Sequence, residues 1–407
     1  MEASLSNIPL EIIRLILLQL PVKCVIRCQC VCKQWRSLID DSDFKLSYRG
    51  QQRMILLSNE SKSKDRPSIS RFLVRSTSHD LRLRRHKWPF GEESPLIRAR
   101  FETSLRVLCS CHGLVLLLVA NKDIWLWNPS TKCSTKFLPT PHSKDAFIVG
   151  GLCYDSCTRD YKVVLKICPR IPGVDPFDYS NPFLMSASFN HKEWRPVRFP
   201  YNLDSVRDGI EFRNTFYWWA SDMKDWDPYT NFFSDRNRIV YFDPVHDEFR
   251  ILPLPTLEAG KNFSIFGLGV IDDCLCMAAC IVREKEEEPK PKTKTKTIWI
   301  MKEYGKQESW MAAFSIQMRE LLGDVYGSYI LTFYSQKRNA QQVLFLLRSV
   351  HVRRYRQVCV YDRKKDEWKE DLLDFLTSDR RSVHSLCFYV ESLAWPGGRP
   401  QRIDLER

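Results

Sequence analysis

Cysteines are the residues of this chain whose side chains could most readily bind a metal. The 407 residues include 15 cysteines, and four of them lie close together: Cys24, Cys28, Cys30 and Cys32. Four thiolates can hold a tetrahedral zinc ion, but on a helix these side chains would point in several directions. No C-x2-C pair with a matching second pair occurs. We therefore expect packing roles for the cysteines, with no metal and no cofactor.

Catalysis has one weak candidate, the neighbouring pair Cys111 and His112. Adjacent residues on a strand point to opposite faces, which separates the thiol from the imidazole. The sequence contains no glycine-rich phosphate loop, no G-x-S-x-G and no H-E-x-x-H motif. Cys109 and Cys111 are two positions apart, as are Cys274 and Cys276, so each pair lies on one strand face suited to core packing. These patterns predict a protein that is not an enzyme.

The elements that would position a binding site begin with an apolar stretch near the N-terminus. Residues 11–20 include only three polar side chains, so a helix here is apolar on nearly every side. Pro21 ends that helix. A second short apolar run opens at Val22, and residues 33–39 show helical spacing before a stop signal at 40–42. Three helices in so short a segment cannot bury two apolar faces, so one face needs a partner.

The chain from about residue 53 to residue 370 consists of short β-prone runs separated by turn signals. The clearest predicted strands are 54–57, 72–74, 114–119, 124–127, 161–165, 239–242, 297–300, 343–347 and 358–361. A recurring unit has an apolar strand, then Asn or Asp, a polar turn, and an aromatic residue six positions after the Asn or Asp; full copies start at Asp155, Asp243 and Asp362, and a looser copy starts at Asn128. The Asn or Asp nucleates a turn and the aromatic packs across the hairpin. Repeated hairpins predict a propeller, with a pair of packed sheets as the alternative.

Positive charge is concentrated in one segment. The net charge is +13, and most of the excess lies in residues 49–100. Alternation of leucine and arginine from Leu81 predicts a half-buried strand with a basic outer face. Nucleic-acid binding would also need aromatic residues that stack on bases or a known nucleic-acid-binding motif, and Trp88 is the one aromatic residue beside the basic run. We therefore favour a solvated strand face, or a surface for an acidic protein, over nucleic-acid binding.

Two segments have the composition of flexible chain. Residues 284–296 contain no apolar side chain, which predicts a disordered insertion at about 284–297 between two strands. Its lysines are spaced by threonine and proline, so a solvated insertion is favoured over a nuclear import signal. The Pro-Gly-Gly sequence near the C-terminus predicts a flexible tail at 391–407. No signal peptide and no 18-residue apolar run occur, and the odd number of cysteines suits reduced thiols, so we expect a cytoplasmic or nuclear protein without membrane contact.

Three blocks of the N-terminal segment resemble the F-box, a three-helix module that docks on a Skp-type adaptor of cullin–RING ubiquitin ligases. The blocks are IPLEII at 8–13, LPVK at 20–23 and CVCKQWRSLI at 30–39. The departures from the common pattern are Ile8 for leucine, Cys24 for serine and Cys28 for phenylalanine. The resemblance assigns residues 1–48 to the F-box and implies adaptor contacts at Ile8, Pro9, Ile12, Ile16, Leu20, Pro21, Val31, Cys32 and Trp35. A helical cap packed within a larger domain is the alternative.

Six further blocks resemble the F-box-associated interaction domain of plant F-box proteins. They are CSCHGL at 109–114, LWNPST at 126–131, GLCYD at 151–155 with DYKVV at 160–164, FYW at 216–218, FDP at 242–244 with EF at 248–249, and IWIMKEYG at 298–305 with SW at 309–310. The resemblance assigns residues 49–390 to a kelch-like, propeller-like domain that binds a target protein. The predicted fold is therefore α+β as a whole, with a small three-helix F-box followed by an all-β propeller-like domain.

The two resemblances together imply the substrate-recognition subunit of an SCF-type cullin–RING ubiquitin ligase. Its expected partners are a Skp-type adaptor, a cullin and an unknown target protein. The alternative is a propeller interaction scaffold outside ubiquitin transfer. Aromatic residues anchor interfaces, and two loops that interrupt the β pattern carry candidates for target binding: Phe177, Tyr179, Trp226, Tyr229, Phe232 and Phe233. These side chains could instead fold back on the domain surface.

Overall fold

The fold is that of a computed structural model, which describes most but not all of the chain. The described residues are 8–60, 71–77, 83–86, 105–141, 146–170, 182–200, 209–221, 237–283, 295–317, 329–336, 339–349, 355–369 and 381–396. The α-helices lie within residues 10–47, and the described chain after them consists mainly of strands, with a short 3-10 helix at Gln307–Ser309. The α+β fold predicted from the sequence is confirmed.

The helices are α1 (Leu10–Gln19), α2 (Val22–Cys28), α3 (Lys33–Asp40) and α4 (Ser42–Ser47). The sequence predicts three helices and a stop at 40–42, and the additional α4 corrects that prediction. Asp41 Oδ1 accepts a hydrogen bond from the Phe44 N–H at 2.9 Å, so the residues that end α3 also cap α4. Within the described residues, no helix has the length and apolar character needed to cross a bilayer.

The strands occupy most of the remaining described chain. They are β1 (Gln52–Glu60), β2 (Arg71–Thr77), β3 (Leu83–His86), β4 (Leu105–Cys111), β5 (Leu114–Val119), β6 (Asp123–Asn128), β7 (Cys133–Pro139), β8 (Ala146–Asp155), β9 (Asp160–Pro169), β10 (Phe183–Ser188), β11 (Arg195–Pro196), β12 (Ile210–Phe212), β13 (Thr215–Ser221), β14 (Asn237–Asp243), β15 (Glu248–Leu252), β16 (Lys261–Ile271), β17 (Cys274–Arg283), β18 (Thr295–Met301), β19 (Trp310–Gln317), β20 (Tyr329–Gln336), β21 (Asn339–Ser349), β22 (Tyr355–Asp362), β23 (Glu367–Lys369) and β24 (Arg381–Val390). Every run that the sequence analysis gives as a clear strand lies in one of these strands.

The described strands form six four-stranded antiparallel units. Blade 1 has the order β24-β1-β2-β3, and blades 2, 3 and 4 are β4–β7, β8–β11 and β12–β15. Blade 5 (β16–β19) and blade 6 (β20–β23) are joined by parallel pairing of β16 with β20. The last strand, β24, pairs with β1 and so closes the ring. This is a propeller, as predicted, and not the alternative pair of packed sheets.

The predicted turn unit recurs with the same hydrogen bond in each full copy. Oδ1 of Asp155 and Oδ1 of Asp243 each accept from the backbone N–H two residues later at 2.9 Å, and Oδ1 of Asp362 does so at 3.2 Å. Asn128, in a looser copy, accepts from Ser130 N at 2.8 Å. The Asx side chain therefore fixes these turns, as the sequence predicts.

The aromatic residue at the start of each return strand lies opposite the aromatic residue that precedes the Asp. The ring pairs and their centroid distances are Tyr154 and Tyr161 at 4.9 Å, Phe242 and Phe249 at 5.3 Å, and Tyr361 and Trp368 at 5.0 Å. Each pair is in direct cross-strand register. Cross-strand aromatic pairs stabilise hairpins, so one sequence pattern supplies both the turn and its packing.

Because neighbouring strands within a blade run antiparallel, each connection between them lies on one or the other of the two flat faces of the propeller. In each antiparallel blade, the turns between first and second strands and between third and fourth strands lie on one face. Helix α4 leads into β1 at Gln52, beside Val390 at the end of β24, so the helices are on that same face. Connections between second and third strands, including 170–182 in blade 3 and 221–237 in blade 4, start and end on the opposite face.

The structure contradicts part of each segment predicted to be flexible. Residues 295–297 belong to β18, where Thr297 pairs with Ser315 of β19, so the predicted insertion is wrong at its C-terminal end, while 284–294 lie outside the described residues. The predicted tail is wrong for residues 391–396: Ser392, Leu393 and Ala394 are at most 5% exposed. Residues 397–407 lie outside the described residues. Long-range contacts with the helices and with blade 2 order the start of the tail.

Candidate functional site: an exposed apolar face of the helices

Helix α1 has two apolar faces, and only one of them is covered. Ile13 and Leu17 are 7% and 0% exposed and belong to the core of the helical segment. On the other side, Ile12, Leu15 and Ile16 are 45%, 58% and 49% exposed. These exposed residues follow helical spacing, so they form one continuous apolar surface. We call this surface, together with Ile8, Pro9, Pro21, Val31 and Cys32, the apolar face.

The predicted adaptor contacts fall into two groups by burial. Exposed are Ile8, Pro9, Ile12, Ile16, Pro21, Val31 and Cys32, whereas Leu20 and Trp35 are half-buried and pack against the helical core. Leu15, the most exposed apolar residue of α1, is not among the contacts that the F-box resemblance implies. Its position three residues after Ile12 was the available signal.

The inner side of the helices is held by residues from α4 and from the segment after it. Phe44 and Tyr48 are 0% exposed and pack with Leu17 and Ile39. The Tyr48 hydroxyl donates to the Leu20 carbonyl at 2.8 Å, across the start of α2. Because these contacts fill the inner side, α1 cannot turn its exposed face inward without losing them. The face is therefore a fixed feature of the surface.

Two protein families account for the described architecture. Residues 5–47 match the F-box domain, and residues 68–395 match the F-box associated beta propeller domain. The chain belongs to the F-box proteins that carry this propeller domain. Its helices are the F-box, and the apolar face lies on that F-box.

Relatives in Arabidopsis thaliana agree with this assignment. An F-box/kelch-repeat protein is 28% identical over 326 residues, covering 76% of this chain and 79% of the relative. The F-box protein CPR1 is 28% identical over 338 residues, covering 77% of this chain and 74% of the relative. Among solved structures, an oligogalacturonate lyase in complex with manganese covers 79% of this chain and 85% of its own, with a TM-score of 0.39 and 10% identity. A likeness that weak carries no argument about activity.

A cavity with both polar and apolar lining lies at one axial end of the propeller, on the F-box side. Its volume is about 680 Å³. Turns of blades 2, 4 and 5 line it, together with the end of β20 in blade 6, the end of β24 and Arg49, which follows the last F-box helix. Glu211 lies in this cavity, and its Oε1 accepts from Asn214 N at 2.8 Å. Burial raises the pKa of Glu211 to about 7, although the Asn214 hydrogen bond and the Arg49 charge oppose the rise.

His112 also lines the cavity but is poorly suited to acid–base chemistry. Burial, with a smaller contribution from the Arg49 charge, lowers its pKa to about 3, so the imidazole is neutral at physiological pH. Its Nδ1 lies 3.2 Å from the Tyr161 hydroxyl. Burial also raises the pKa of the neighbouring Cys111 well above its usual value, which keeps the thiol protonated. A thiolate–imidazole dyad therefore does not form at Cys111 and His112.

The strand cysteines occupy the packing positions that the sequence predicts, whereas Cys24, Cys30, Cys32 and Cys157 are exposed, so the packing prediction is wrong for these four. All fifteen are free thiols. Cys109 and Cys111 are 4% and 0% exposed in one core cluster, and Cys276 is buried in another. Among the described residues, no group of three or more His, Cys, Asp or Glu side chains could hold a metal ion.

The predicted target-binding aromatics lie outside the described residues. They are Phe177, Tyr179, Trp226, Tyr229, Phe232 and Phe233. The strand ends that flank both segments lie on the propeller face opposite the F-box. Leu83–His86 of the basic segment is a strand, as predicted. The side chains of its predicted basic outer face lie outside those that the structure describes.

Proposed function

We propose that this F-box protein is a non-catalytic substrate-recognition subunit of an SCF-type cullin–RING ubiquitin ligase. The apolar face of the F-box docks on a Skp-type adaptor, which connects the chain to a cullin, and the propeller domain holds a target protein. Such a receptor works in the cytoplasm or the nucleus. The observation that carries the proposal is the exposure of Ile12, Leu15 and Ile16 by roughly half on one face of a well-packed helix.

The energetic argument for a docked partner is direct. Complete burial of an aliphatic side chain is worth about 1.5–3 kcal/mol relative to exposure. A row of such side chains left in water therefore represents several kcal/mol that binding would recover. Contiguous exposed apolar surface of this kind is typical of protein interaction sites. Arg14, at the edge of α1, lies over the Phe44 ring and hydrogen-bonds Ser47, so the face keeps its apolar character.

The role of the propeller domain follows from tethering. A target bound to one part of the assembly is presented to ubiquitin transfer at an effective concentration on the order of millimolar. The six aromatic residues named above are proposed as target contacts because the connections that contain them start and end away from the F-box. An adaptor on the F-box would leave that side of the propeller open to a target.

The test is a charge substitution on the apolar face. Ile12→Lys with Ile16→Lys places two charges in the proposed interface, and each uncompensated buried charge costs several kcal/mol. We expect adaptor affinity to fall by more than about 100-fold. Both side chains are exposed, so the melting temperature should stay close to that of the unchanged protein. Calorimetric titration with purified adaptor measures the affinity.

A matched control uses exposed apolar residues of the propeller. Val245 and Ile251 are 43% and 50% exposed on blade 4, and Val245→Lys with Ile251→Lys adds the same charge there. This control should bind the adaptor normally. Equal adaptor affinity for the F-box variant and the control would refute the docking assignment. Absence of any adaptor binding by the unchanged protein would instead favour an interaction scaffold outside ubiquitin transfer.

A further inference from the structure

The chain segment after β24 touches both the F-box and the propeller. The Gly50 N–H donates to the Glu391 carbonyl at 2.8 Å, and the Glu391 N–H donates to the Gln51 carbonyl at 2.8 Å. The Glu391 carboxylate also forms an ion pair with Arg53. The segment therefore begins by pairing with the residues that connect α4 to β1.

One side of this segment completes the core of the F-box. Leu393 is 5% exposed and packs in the same cluster as Leu17, Val25 and Ile39, which come from α1, α2 and α3. A residue more than 350 positions away in sequence thus supplies part of the small helical core. Small domains have little apolar area to bury, so each added side chain matters.

The other side of the segment is held by blade 2. The Asn128 side chain is 0% exposed, and its Nδ2 donates to the carbonyls of Ser392 at 3.2 Å and Ala394 at 2.9 Å. Ser392 N donates to Ser130 Oγ at 3.2 Å. Trp395 then packs against the large core shared by blades 2, 3 and 4. Residues 391–395 therefore lie between the F-box and the propeller with contacts to each.

Close approach of the backbone shows how tightly this segment is seated. A Cβ on Gly113 would lie 2.3 Å from the Val390 carbonyl oxygen and 2.4 Å from Ser392 Oγ, and Gly113 has a φ of +74°. A Cβ on Gly50 would lie 2.7 Å from the Glu391 Cβ. Both positions need glycine, because any side chain there would displace the segment.

Direct contacts between the helices and the blades are fewer in the described residues. Leu46 packs against the core of blades 2, 3 and 4, and Asp43 forms an exposed ion pair with Arg159 at 3.5 Å. An exposed ion pair contributes little to orientation. Most of the attachment therefore passes through residues 391–395.

We propose that residues 391–395 are a positioning clamp that fixes the F-box in one orientation on the propeller. Asn128 and Leu393 are its two anchors. The consequence for ubiquitin transfer rests on the proposed function: a target held by the propeller presents a restricted set of lysines to the ligase. Loosening the clamp leaves both binding sites intact and removes that restriction.

Asn128→Asp is the sharpest variant for this proposal. Asn128 Oδ1 caps its turn by accepting from Ser130 N, and an aspartate keeps that acceptor. The same turn unit carries Asp at Asp243 and Asp362. The substitution removes the Nδ2 donor and sets a carboxylate against two carbonyl oxygens. It therefore breaks the clamp and spares the turn. Leu393→Ala weakens the other anchor.

Asn237→Asp is the matched control. Asn237 is 2% exposed, and its Oδ1 accepts from Ile265 N at 2.6 Å between blades 4 and 5. The same chemical change thus introduces a buried carboxylate away from the clamp. Any general loss of stability should appear in both variants, whereas loss of F-box orientation should appear only with Asn128→Asp.

The first measurement is a distance distribution in the full chain. Spin labels attached through unnatural residues at Gln34 on α3 and His191 in blade 3 avoid the exposed native cysteines, and both positions are exposed. Pulsed electron paramagnetic resonance should give one narrow distribution of the distance between the two labels for the unchanged protein and for Asn237→Asp. Asn128→Asp with Leu393→Ala should broaden it severalfold, and each single substitution should broaden it less. A distribution that stays narrow in the double variant, or in the singles if the double variant does not fold, overturns the proposal.

The second measurement maps ubiquitin on the F-box protein itself in a reconstituted ligase. Asn128→Asp alone, which leaves the F-box core unchanged, should bind adaptor with unchanged affinity and carry ubiquitin on more lysines than the Asn237→Asp control, as read by mass spectrometry. An unchanged lysine pattern refutes the functional consequence of the clamp. If the unchanged protein does not bind adaptor at all, the proposed function fails, and the distance measurement alone still decides whether the clamp exists.

Discussion

The F-box and the propeller differ in how far they cover their own apolar side chains. On the F-box, Ile8 just before α1 and Ile12, Leu15 and Ile16 on α1 are all at least 44% exposed. The exposed large apolar residues of the described propeller belong to separate strands and turns: Val245, Ile251, Ile281, Tyr304 and Met311. A closed ring lets each blade cover its neighbour, whereas four short helices cannot cover both sides of α1. Incomplete coverage therefore marks the part for which we propose a partner.

The largest expected effect is the difference in unfolding free energy between a substitution in the propeller core and one on the apolar face of the F-box. Trp218 is 2% exposed, lies 4.8 Å from the Phe216 ring and contacts the core of blades 2, 3 and 4. Trp218→Ala should cost about 3–5 kcal/mol of unfolding free energy through lost burial and a cavity. Leu15→Ala on the apolar face should cost less than about 0.5 kcal/mol, because Leu15 is already 58% exposed. Chemical denaturation measures both, and similar costs for the two variants would contradict the comparison.

The next effect concerns pH and the axial cavity. The unfolded chain loses the Glu211 proton near pH 4.5, while the native protein keeps it until about pH 7. The native state binds more protons between those values, so Glu211 lowers stability as pH rises through that window, by roughly 3 kcal/mol in all. Glu211→Gln should be more stable than the unchanged protein at pH 8 and similar to it below pH 4.5.

Comparison of the two proteins at each pH isolates Glu211 from His112. The pKa of His112 is about 3 in the native protein and 6.5 in the unfolded chain, so His112 raises stability as pH rises between those values. That contribution is common to both proteins and cancels in the difference. Denaturation curves from pH 4 to pH 8 provide the data. A difference that does not vary with pH would show that Glu211 titrates normally.

Much of the fold follows from local signals in the sequence. The turn at Asp155 was predictable because its acceptor, its donor and its aromatic partner lie within a few residues. The number of blades was not, because closure depends on pairing of β24 with β1 at opposite ends of the chain. The order of Leu393 was missed for the same reason, since its partners are the F-box helices. Non-local contacts leave no periodic pattern in the sequence.

The candidate site also divides into features that local sequence signals predict and features that depend on non-local contacts. Exposure of Ile12 and Ile16 was predictable, because a helix that is apolar on both sides must leave one side uncovered in a small module. The cavity with Glu211 was not, because a single acidic residue in β12 carries no periodic signal. Its environment comes mainly from burial and from Arg49, which only the folded chain brings near, whereas Asn214 is a local neighbour across the β12–β13 turn.

A smaller effect compares caps in the two regions. Asp41 caps α4 of the F-box through the Phe44 N–H, and Asp243 caps a turn of blade 4 through the Val245 N–H, both at 2.9 Å. Asp41→Ala and Asp243→Ala should each cost about 1 kcal/mol. Hydrogen exchange should rise around α4 for Asp41→Ala and around the β14–β15 turn for Asp243→Ala. The Asp→Asn variants keep the acceptor and should recover most of the loss, and equal loss for Asn and Ala would refute the capping role.

The smallest expected effect separates the two segments that composition alone predicts to be flexible. Replacement of residues 284–294 by a Gly/Ser linker of similar length should change the unfolding free energy by less than about 0.5 kcal/mol, because the segment has no apolar side chain to bury and loop entropy varies slowly with length. The replacement stops before Thr295, where β18 begins. The same replacement of residues 391–395 should lower stability clearly, because Leu393 and Ser392 are buried. Thermal melts of both variants measure the contrast. Equal melting temperatures would show that the segment after β24 contributes no more to stability than residues 284–294 do.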